Sequence, residues 1–377
     1  MKNQFTQSIP MELGSSLFGY GERADERREA FSALACAGAA IARLDADSAN
    51  LPLRAAWLRA EREFALAVAL RETGHEADPQ SIIAARLGAF FLPRGHVQLG
   101  DVDDRARRWA PIAQRKGPPE LRALVARLVP MRGDKDLVGL AERTVDALGM
   151  CTQSSWEIDK DPRNGLPVLR NVPAQPGAID AGDLALALPY ALRRAGVTAG
   201  VLPTLVGRPR LLSREDVTPL GALTAWAATL ERQACEGHAR LRELQVYAGQ
   251  VEQKLIAIRR PAALRRLVGL ALGSWSLWAA KLARQTKVDI SSAWRLLEQA
   301  ADLGLVMPVP GQKRSRGNAT LYAAPPWLRM AGLMLVRRGR PAKSAVSVRG
   351  GASGGALAAA MAELDGLLED VDQLLAR

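Results

Sequence analysis

The sequence predicts a mainly α fold. Alanine, leucine and arginine are abundant, whereas aromatic residues make up only 5% of a chain that is 48% hydrophobic. This composition favours helices over sheets. Apolar residues recur three and four positions apart over long stretches, and Pro and Gly separate these stretches, as expected of successive amphipathic helices. We expect an N-terminal helical domain (1–150), an irregular connection with short helices (151–215), a long heptad helix (216–258), a compact basic domain (259–336), a basic and Gly-Ser linker (337–355) and a C-terminal amphipathic helix (356–377).

The first 150 residues contain several helical patterns. We expect helices from Ala24 to about Leu44, from Pro52 to about Glu72, from Pro79 to near Phe91, from Asp101 to Gln114, from Pro119 to Val129 and from Lys135 to Met150. The first two carry stripes of apolar and small residues. They are therefore expected to pack as an antiparallel pair.

Between Cys151 and Ala181 the periodicity is lost, because four prolines and two glycines interrupt it. A loop of this length indicates either a domain boundary or a binding loop, with a short hairpin at 166–172 as an option. An amphipathic helix is expected again from Asp180 to Gly196.

The strongest periodicity in the chain begins after Thr218 and Pro219 and ends before Pro261. Its apolar and small residues alternate three and four apart over about five heptads: Leu220, Leu223, Ala227, Leu230, Ala234, Gly237, Leu241, Leu244, Ala248, Val251 and Leu255. A helix of about forty residues spans roughly 60 Å. We expect it either to bridge the two halves of the chain or to pair with a second copy, giving a homodimer; packing within the chain is the alternative.

Residues 277–304 have the pattern of two helices joined by a short turn. The first is expected from Leu277 to Arg284, with Leu277, Ala280, Leu282 and Ala283 inward, and the turn is expected to place Val288 in the same core. Asp289 is a natural N-cap, able to accept hydrogen bonds from the backbone of Ser291 or Ser292. Gly304 supplies the left-handed residue that ends the second helix. Its apolar face is formed by Ala293, Leu296, Leu297, Ala300 and Leu303.

A hairpin should follow the second helix, with strands at 305–309 and 319–323 and a basic tip between them. Together with the two helices, this pattern predicts a winged helix-turn-helix that binds double-stranded DNA. The predicted contact residues are Lys287, Ser291, Ser292, Arg295 and Gln299 on the helices and Lys313, Arg314 and Arg316 on the wing. Small hydroxyls and one arginine suit base edges in a major groove, and the wing cations suit phosphate or the minor groove. A helical scaffold with a solvated basic hairpin is the alternative.

The positive charge of the chain is concentrated on this module. Between Arg259 and Lys343 there are 16 Lys and Arg against three acidic residues, a net +13; because the whole chain carries +12, the remainder sums to −1. Such a distribution is typical of a protein that binds a polyanion. Arginines at 337–340 resemble a minor-groove arm, and the acidic helix expected at 356–376 could dimerise or fold back on the basic surface.

The three cysteines are odd in number and lack CxxC spacing, which favours a reducing compartment over disulfides or a zinc site. Neither a signal peptide nor a membrane span is indicated. We therefore expect a cytoplasmic protein, associated with the nucleoid or a plasmid. No cofactor or metal is expected, and no effector can be named.

The segment LARQTKVDISSAWRLL (282–297) resembles the helix-turn-helix of bacterial repressors. More broadly, the chain resembles helix-turn-helix proteins of unknown function encoded on rhizobial and other alphaproteobacterial plasmids. The segment ARLDADSANLPLRAAWLRAEREFALAVALRETGH (42–75) is similar to the helices preceding Fic catalytic domains. These resemblances imply a DNA-binding, regulator-like role.

The Fic catalytic motif itself is missing. His75, His96 and His238 are the three histidines, and none precedes Pro-Phe. Walker and dinucleotide fingerprints are also absent. We therefore expect a protein without enzymatic activity: a transcriptional regulator, or alternatively a plasmid replication, partition or maintenance factor, or a helical scaffold that does not bind DNA.

Overall fold

The computed structural model describes residues 24–334, apart from 50–52, 90–99, 101, 104, 108–118, 134, 152–154, 161–166, 173–178, 214–216, 260 and 311–319. As predicted, the fold is mainly α. The helices are α1 (Ala24–Ala49), α2 (Arg54–Glu72), α3 (Pro79–Leu87), α4 (Pro119–Leu128), α5 (Leu137–Leu148), α6 (Ala181–Ala195), α7 (Pro219–Ile256), α8 (Ala262–Gly273), α9 (Ala279–Thr286), α10 (Ile290–Asp302) and α11 (Pro325–Met330). The strands are β1 (Ser155–Lys160), β2 (Pro167–Val172), β3 (Met307–Pro308) and β4 (Tyr322–Ala323).

Local capping explains where several helices begin and end. The Asp78 carboxylate accepts a hydrogen bond from the Ser81 backbone N–H at 3.0 Å, and the Thr218 hydroxyl accepts one from that of Gly221 at 3.0 Å. Each cap is followed by a proline in the first helical turn, where a missing N–H costs nothing. Gly196 closes α6 with a φ of +77°, a conformation that glycine adopts without steric cost.

The long helix α7 is the element against which the other helices are arranged. Its heptad seam is buried, with Ala248 half-buried and Tyr247 beside it buried. The seam packs mainly on α1. At Gly237 the approach is close: a Cβ there would lie 3.1 Å from Thr204 Cγ2 and 3.4 Å from Leu44 Cδ2. Because this seam is covered within the chain, it offers no surface to a second copy, and the alternative of intramolecular packing is the observed one.

The predicted antiparallel pair of α1 and α2 is wrong. α1 lies along α7, whereas α2 packs chiefly against α6. Helix α6 is buried on nearly all its faces and also contacts α4 and α5. The two helices therefore pack on different partners, so their adjacency in sequence does not make them neighbours in the core.

A buried ion pair joins α2 to α7. Arg240 donates two hydrogen bonds of 2.7 Å, from Nε and Nη2, to the two carboxylate oxygens of the fully buried Glu61. Its guanidinium also lies 3.9 Å from the ring centroid of Phe64. Burial acts to lower the pKa of Arg240, but the charge and hydrogen bonds of Glu61, together with the charges of Glu236 and Glu243, raise that pKa above its usual value. The pair fixes the position of α2 along the long helix.

The connection expected to be irregular contains a hairpin. β1 and β2 pair antiparallel, with Ser155 opposite Val172 and Lys160 opposite Pro167. The segment 166–172, suggested as a whole hairpin, therefore contains only the second strand of a longer one. Across the described ranges, no helix combines the length and apolar character needed to cross a membrane.

Helices on both sides of this connection share one continuous hydrophobic core, and contacts group residues up to Met334 into one compact unit. The first 23 residues lie outside the described residues, as do four predicted segments: the tip of the basic hairpin, the arginines at 337–340, the Gly-Ser linker and the acidic C-terminal helix. Most of the helix expected at 101–114 also lies outside them.

Candidate nucleic-acid interface

The basic segment after α7 folds as three helices and a hairpin. α8 is followed by an extended residue, Leu277, which exchanges two backbone hydrogen bonds of 2.7 Å with Tyr322 of β4. α9 and α10 come next, then β3 and β4, which pair with Met307 opposite Ala323. Leu277 therefore adds a third extended element beside the hairpin. The chain order is helix, extended residue, helix, helix and hairpin.

The turn between α9 and α10 differs from the prediction in one respect. Lys287 ends α9 with a φ of +57°, an uncommon conformation for a residue other than glycine. Val288 then lies 43% exposed, so its predicted core position is wrong. α9 also starts at Ala279, two residues later than expected; Ala279 is buried, and the predicted inward residue Ala280 is exposed. Leu277, Leu282 and Ala283 are buried as predicted.

The amino end of α10 is capped as the sequence predicts. The Asp289 carboxylate accepts a hydrogen bond from the Ser292 backbone N–H at 2.8 Å. Hydrogen bonds with Ser292 lower the pKa of Asp289. Gly304 follows the helix with a φ of +63°. Ala293, Leu297 and Ala300 are buried, so the rotation of α10 about its own axis is fixed by these three residues.

The opposite face of α10 is polar and exposed. Ser291, Ser292, Arg295 and Gln299 lie on it, and Lys287 is exposed in the turn that precedes it. Glu298 and Asp302 are also exposed, but they belong to the carboxyl half of the helix. The amino half is therefore the part of this surface that suits a polyanion, and that half carries the capped, positive end of the helix dipole.

Two large apolar side chains at the edge of this face were missed in the sequence. Trp294 is 49% exposed and Ile290 is 62% exposed. They lie four residues apart and therefore on one side of the helix. Their position was recognisable, because both fall outside the stripe formed by Ala293, Leu297 and Ala300.

The cations around the two helices are poorly neutralised. Arg284, Lys287 and Arg295 are exposed, and none of them forms an ion pair with another described residue. Arg266 of α8 donates a hydrogen bond of 3.1 Å to the carbonyl of Gln285, which places its charge near the same turn. The wing residues Lys313, Arg314 and Arg316 lie outside the described residues, so their contact with a ligand stays a prediction.

Side chains of the long helix hold the module in place. The Tyr247 hydroxyl donates to the Leu305 carbonyl at 2.6 Å, and Lys254 donates to the Leu303 carbonyl at 2.7 Å. Burial raises the pKa of the Tyr247 phenol. From α11, Arg329 pairs with Glu243, and the Trp327 indole donates to the Ala271 carbonyl at 3.1 Å. These contacts therefore hold α10 and the hairpin against the long helix.

Other chemistry-bearing groups lie apart from this module. His238 pairs with Asp47 at 2.5 Å, between α7 and α1, and His75 lies 3.0 Å from the Thr73 hydroxyl; His96 is outside the described residues. Within the described residues, His, Cys, Asp and Glu form no group of three or more that could hold a metal ion.

Comparison with known proteins does not assign this chain to a protein family. The chain matches no protein-family model, and no curated protein is similar to it. The resemblance to repressor and plasmid-encoded helix-turn-helix proteins therefore stays a prediction.

Proposed function

We propose that this protein binds double-stranded DNA sequence-specifically and acts as a transcriptional regulator, with α10 as the reading helix in the major groove. The observation that carries the proposal is the exposed amino half of α10. There Ser291, Ser292 and Arg295 project on the side opposite the buried stripe, beside the cations of the preceding turn. A helix presented in this way fits a major groove about 12 Å wide.

The residue types suggest distinct roles. Arg295 can donate two hydrogen bonds to the O6 and N7 atoms of guanine, and Gln299 can pair with adenine. The serine hydroxyls can meet either a base edge or a phosphate. Arg284 and Lys287 lie on or just after α9, the helix that crosses the DNA backbone in this mode of docking, so they would position the module without specifying sequence.

The wing supplies a further contact in this proposal. Lys313, Arg314 and Arg316 lie between β3 and β4, and each would neutralise a phosphate or enter the minor groove. An inverted-repeat site would follow if the protein is a homodimer. Because the heptad seam is buried, such a dimer would need another surface.

Protein binding is the rival function, and the exposed pair Ile290 and Trp294 favours it. Apolar side chains on a helix surface can dock into a groove of a partner protein. They can equally contact thymine methyl groups at the edge of a major groove. The cations at Arg284, Lys287 and Arg295 favour the second use, because a DNA ligand would neutralise them.

Selection of binding sites from a pool of random duplexes tests the proposal. The full-length chain should enrich a defined sequence. Arg295→Gln should then lose discrimination at one base pair, by about 1–3 kcal/mol, while binding to random duplex changes much less. The exposed Arg232 on α7 offers a matched control, since Arg232→Gln removes the same charge far from the reading helix. Equal losses on selected and random duplex for Arg295→Gln would contradict the assigned role.

The positions of the enriched sequence in the genome would separate the two DNA-binding functions. Sites at promoters would support transcriptional regulation. Sites confined to a plasmid origin or partition locus would instead favour replication, partition or maintenance.

A further inference from the structure

Arg59 of α2 lies beside the helix-turn-helix although it is more than two hundred residues away in sequence. Arg59 donates a hydrogen bond of 3.1 Å to the Leu272 carbonyl near the end of α8. Four residues further on, the Ser276 carbonyl accepts a hydrogen bond of 2.9 Å from Lys281 of α9. Arg62 is one turn of α2 beyond Arg59 and is exposed. α2 therefore brings Arg59 to the amino half of α9, and Arg62 lies close enough to Arg59 for its charge to act on it.

These cations repel one another. Burial lowers the pKa of Lys281, and the charges of Arg59 and Arg284 lower it further. Burial and the charge of Arg62 likewise lower the pKa of Arg59, against an opposing effect of Glu63. A cluster of cations of this kind favours the binding of a ligand that carries several negative charges.

The nearby carboxylates are already engaged. Glu63 is buried and lies 3.4 Å from Arg86, and Arg86 also binds Asp103 at 2.7 Å. Among the described residues, no carboxylate forms an ion pair with Arg62, Lys281 or Arg284. The cluster Arg59, Arg62, Lys281 and Arg284 therefore keeps its positive charge available to a ligand.

The position of this cluster relative to α10 indicates that its ligand is the DNA duplex. In helix-turn-helix docking the first helix crosses the DNA backbone while the second enters the major groove. Here the first helix is α9, and Arg59 lies near the end of α9 that is away from the turn leading into α10, with Arg62 beyond it on α2. A duplex seated on α10 would continue past α9 towards α2.

We propose that Arg62, supported by Arg59 and Lys281, forms a second phosphate-binding surface for the duplex that flanks the base pairs read by α10. This inference rests on the proposed function. The surface would add affinity without base preference, because phosphates are the same in every sequence. The helical body would thus bind DNA directly and lengthen the site beyond the helix-turn-helix.

The test compares Arg62→Gln, Arg62→Lys and Arg232→Gln in the full-length chain. Arg232 is an exposed arginine of α7, about 33 Å along the helix from Lys254 at 1.5 Å per residue. Affinity is measured over a range of salt concentrations on a long duplex containing the selected site, and on duplexes shortened at either flank. Thermal unfolding confirms that each variant is folded.

We expect Arg62→Gln to reduce the slope of log affinity against log salt by about 0.9 on the long duplex. The affinity of the unmodified chain divided by that of Arg62→Gln should then grow about eightfold as the salt concentration falls from 1 M to 0.1 M. Arg62→Lys should retain most of the binding, and Arg232→Gln should behave as the unmodified chain does. The effect should vanish when the flank next to α2 is removed.

An Arg62→Gln variant that matches Arg232→Gln on the long duplex would overturn the inference while leaving the proposed function intact. A loss that persists on both shortened duplexes would also overturn it, because Arg62 would then act at the central site. No salt-dependent binding by the unmodified chain would overturn both proposals.

Discussion

Removing one partner of the buried ion pair between Glu61 and Arg240 should strongly destabilise this fold, because the other charge would stay buried. Glu61 is fully buried, and both its carboxylate oxygens accept hydrogen bonds of 2.7 Å from Arg240. The guanidinium also donates to Thr204 at 3.2 Å and lies over Phe64. Glu61→Gln removes the buried counter-charge of that cation and leaves only the exposed Glu236, 3.9 Å from Nη1, while the new amide N–H group faces guanidinium donors. We expect a loss of about 3–5 kcal/mol in the free energy of unfolding.

The chain contains a matched control for this prediction. Arg265 and Glu252 form the same two-bonded pair, with distances of 3.0 and 2.7 Å, but both side chains are exposed. Water screens such a pair, so Glu252→Gln should leave the unfolding midpoint nearly unchanged. The assay is urea unfolding followed by circular dichroism. The slope of the free energy of unfolding against urea concentration should be the same in all variants, so that a shift in midpoint reports a change in stability. Equal shifts for the two variants would refute the claim that burial makes the Glu61 pair important.

Two further predictions concern the reading helix and the long helix. Trp294 is half-exposed whereas Trp57, Trp226 and Trp327 are buried, so bound DNA should shield the Trp294 indole from quenching by iodide. A Trp294→Phe variant should lose this DNA-dependent change in quenching. If the variant shows the same change, the shielded tryptophan is not Trp294. Leu241 is buried in the α7 seam, so Leu241→Glu should unfold the chain, which circular dichroism would show as a loss of helical signal. If the variant stays folded and its sedimentation changes from that of a dimer to that of a monomer, the seam joins two copies instead.

Features set by local sequence could be predicted closely. Asp289 caps α10 and the left-handed Gly304 follows it, as predicted, and α7 starts at the predicted Thr218-Pro219 pair, where Thr218 is the N-cap. These features act within a few residues of themselves. The heptad spacing identified α7 almost to its ends. The polar face of α10 was also predictable, because its buried stripe follows helical periodicity.

Features set by distant contacts could not be predicted in this way. Glu61 meets Arg240 across 179 residues, and nothing near either residue in the sequence indicates the other. The pairing of α1 with α7 depends on the whole arrangement of helices, so the adjacent α2 was the natural but wrong partner. Val288 shows a smaller version of the same limit: the left-handed Lys287 redirects the chain, and apolar character alone did not reveal this.

The α2 arginines belong to the same group of distant features. Arg59 and Arg62 occur in an amphipathic helix where charged residues are ordinarily solvated. The hydrogen bond from Arg59 to Leu272 places Arg59 against the end of α8, close enough to α9 for its charge to act on Lys281. The sequence placed the basic excess after Arg259, whereas in the folded chain Arg59 of the N-terminal half lies beside that segment.

Equilibrium binding of the full-length chain to labelled duplex DNA, measured by fluorescence anisotropy over a salt series, tests the central claim most directly. If α9, α10 and the wing bind phosphates, log affinity should fall linearly with log salt, with a slope near −0.9 for each phosphate neutralised. The selected sequence should bind more tightly than a scrambled duplex at every salt concentration. An affinity that is absent even at low salt would contradict the proposal that this protein binds DNA.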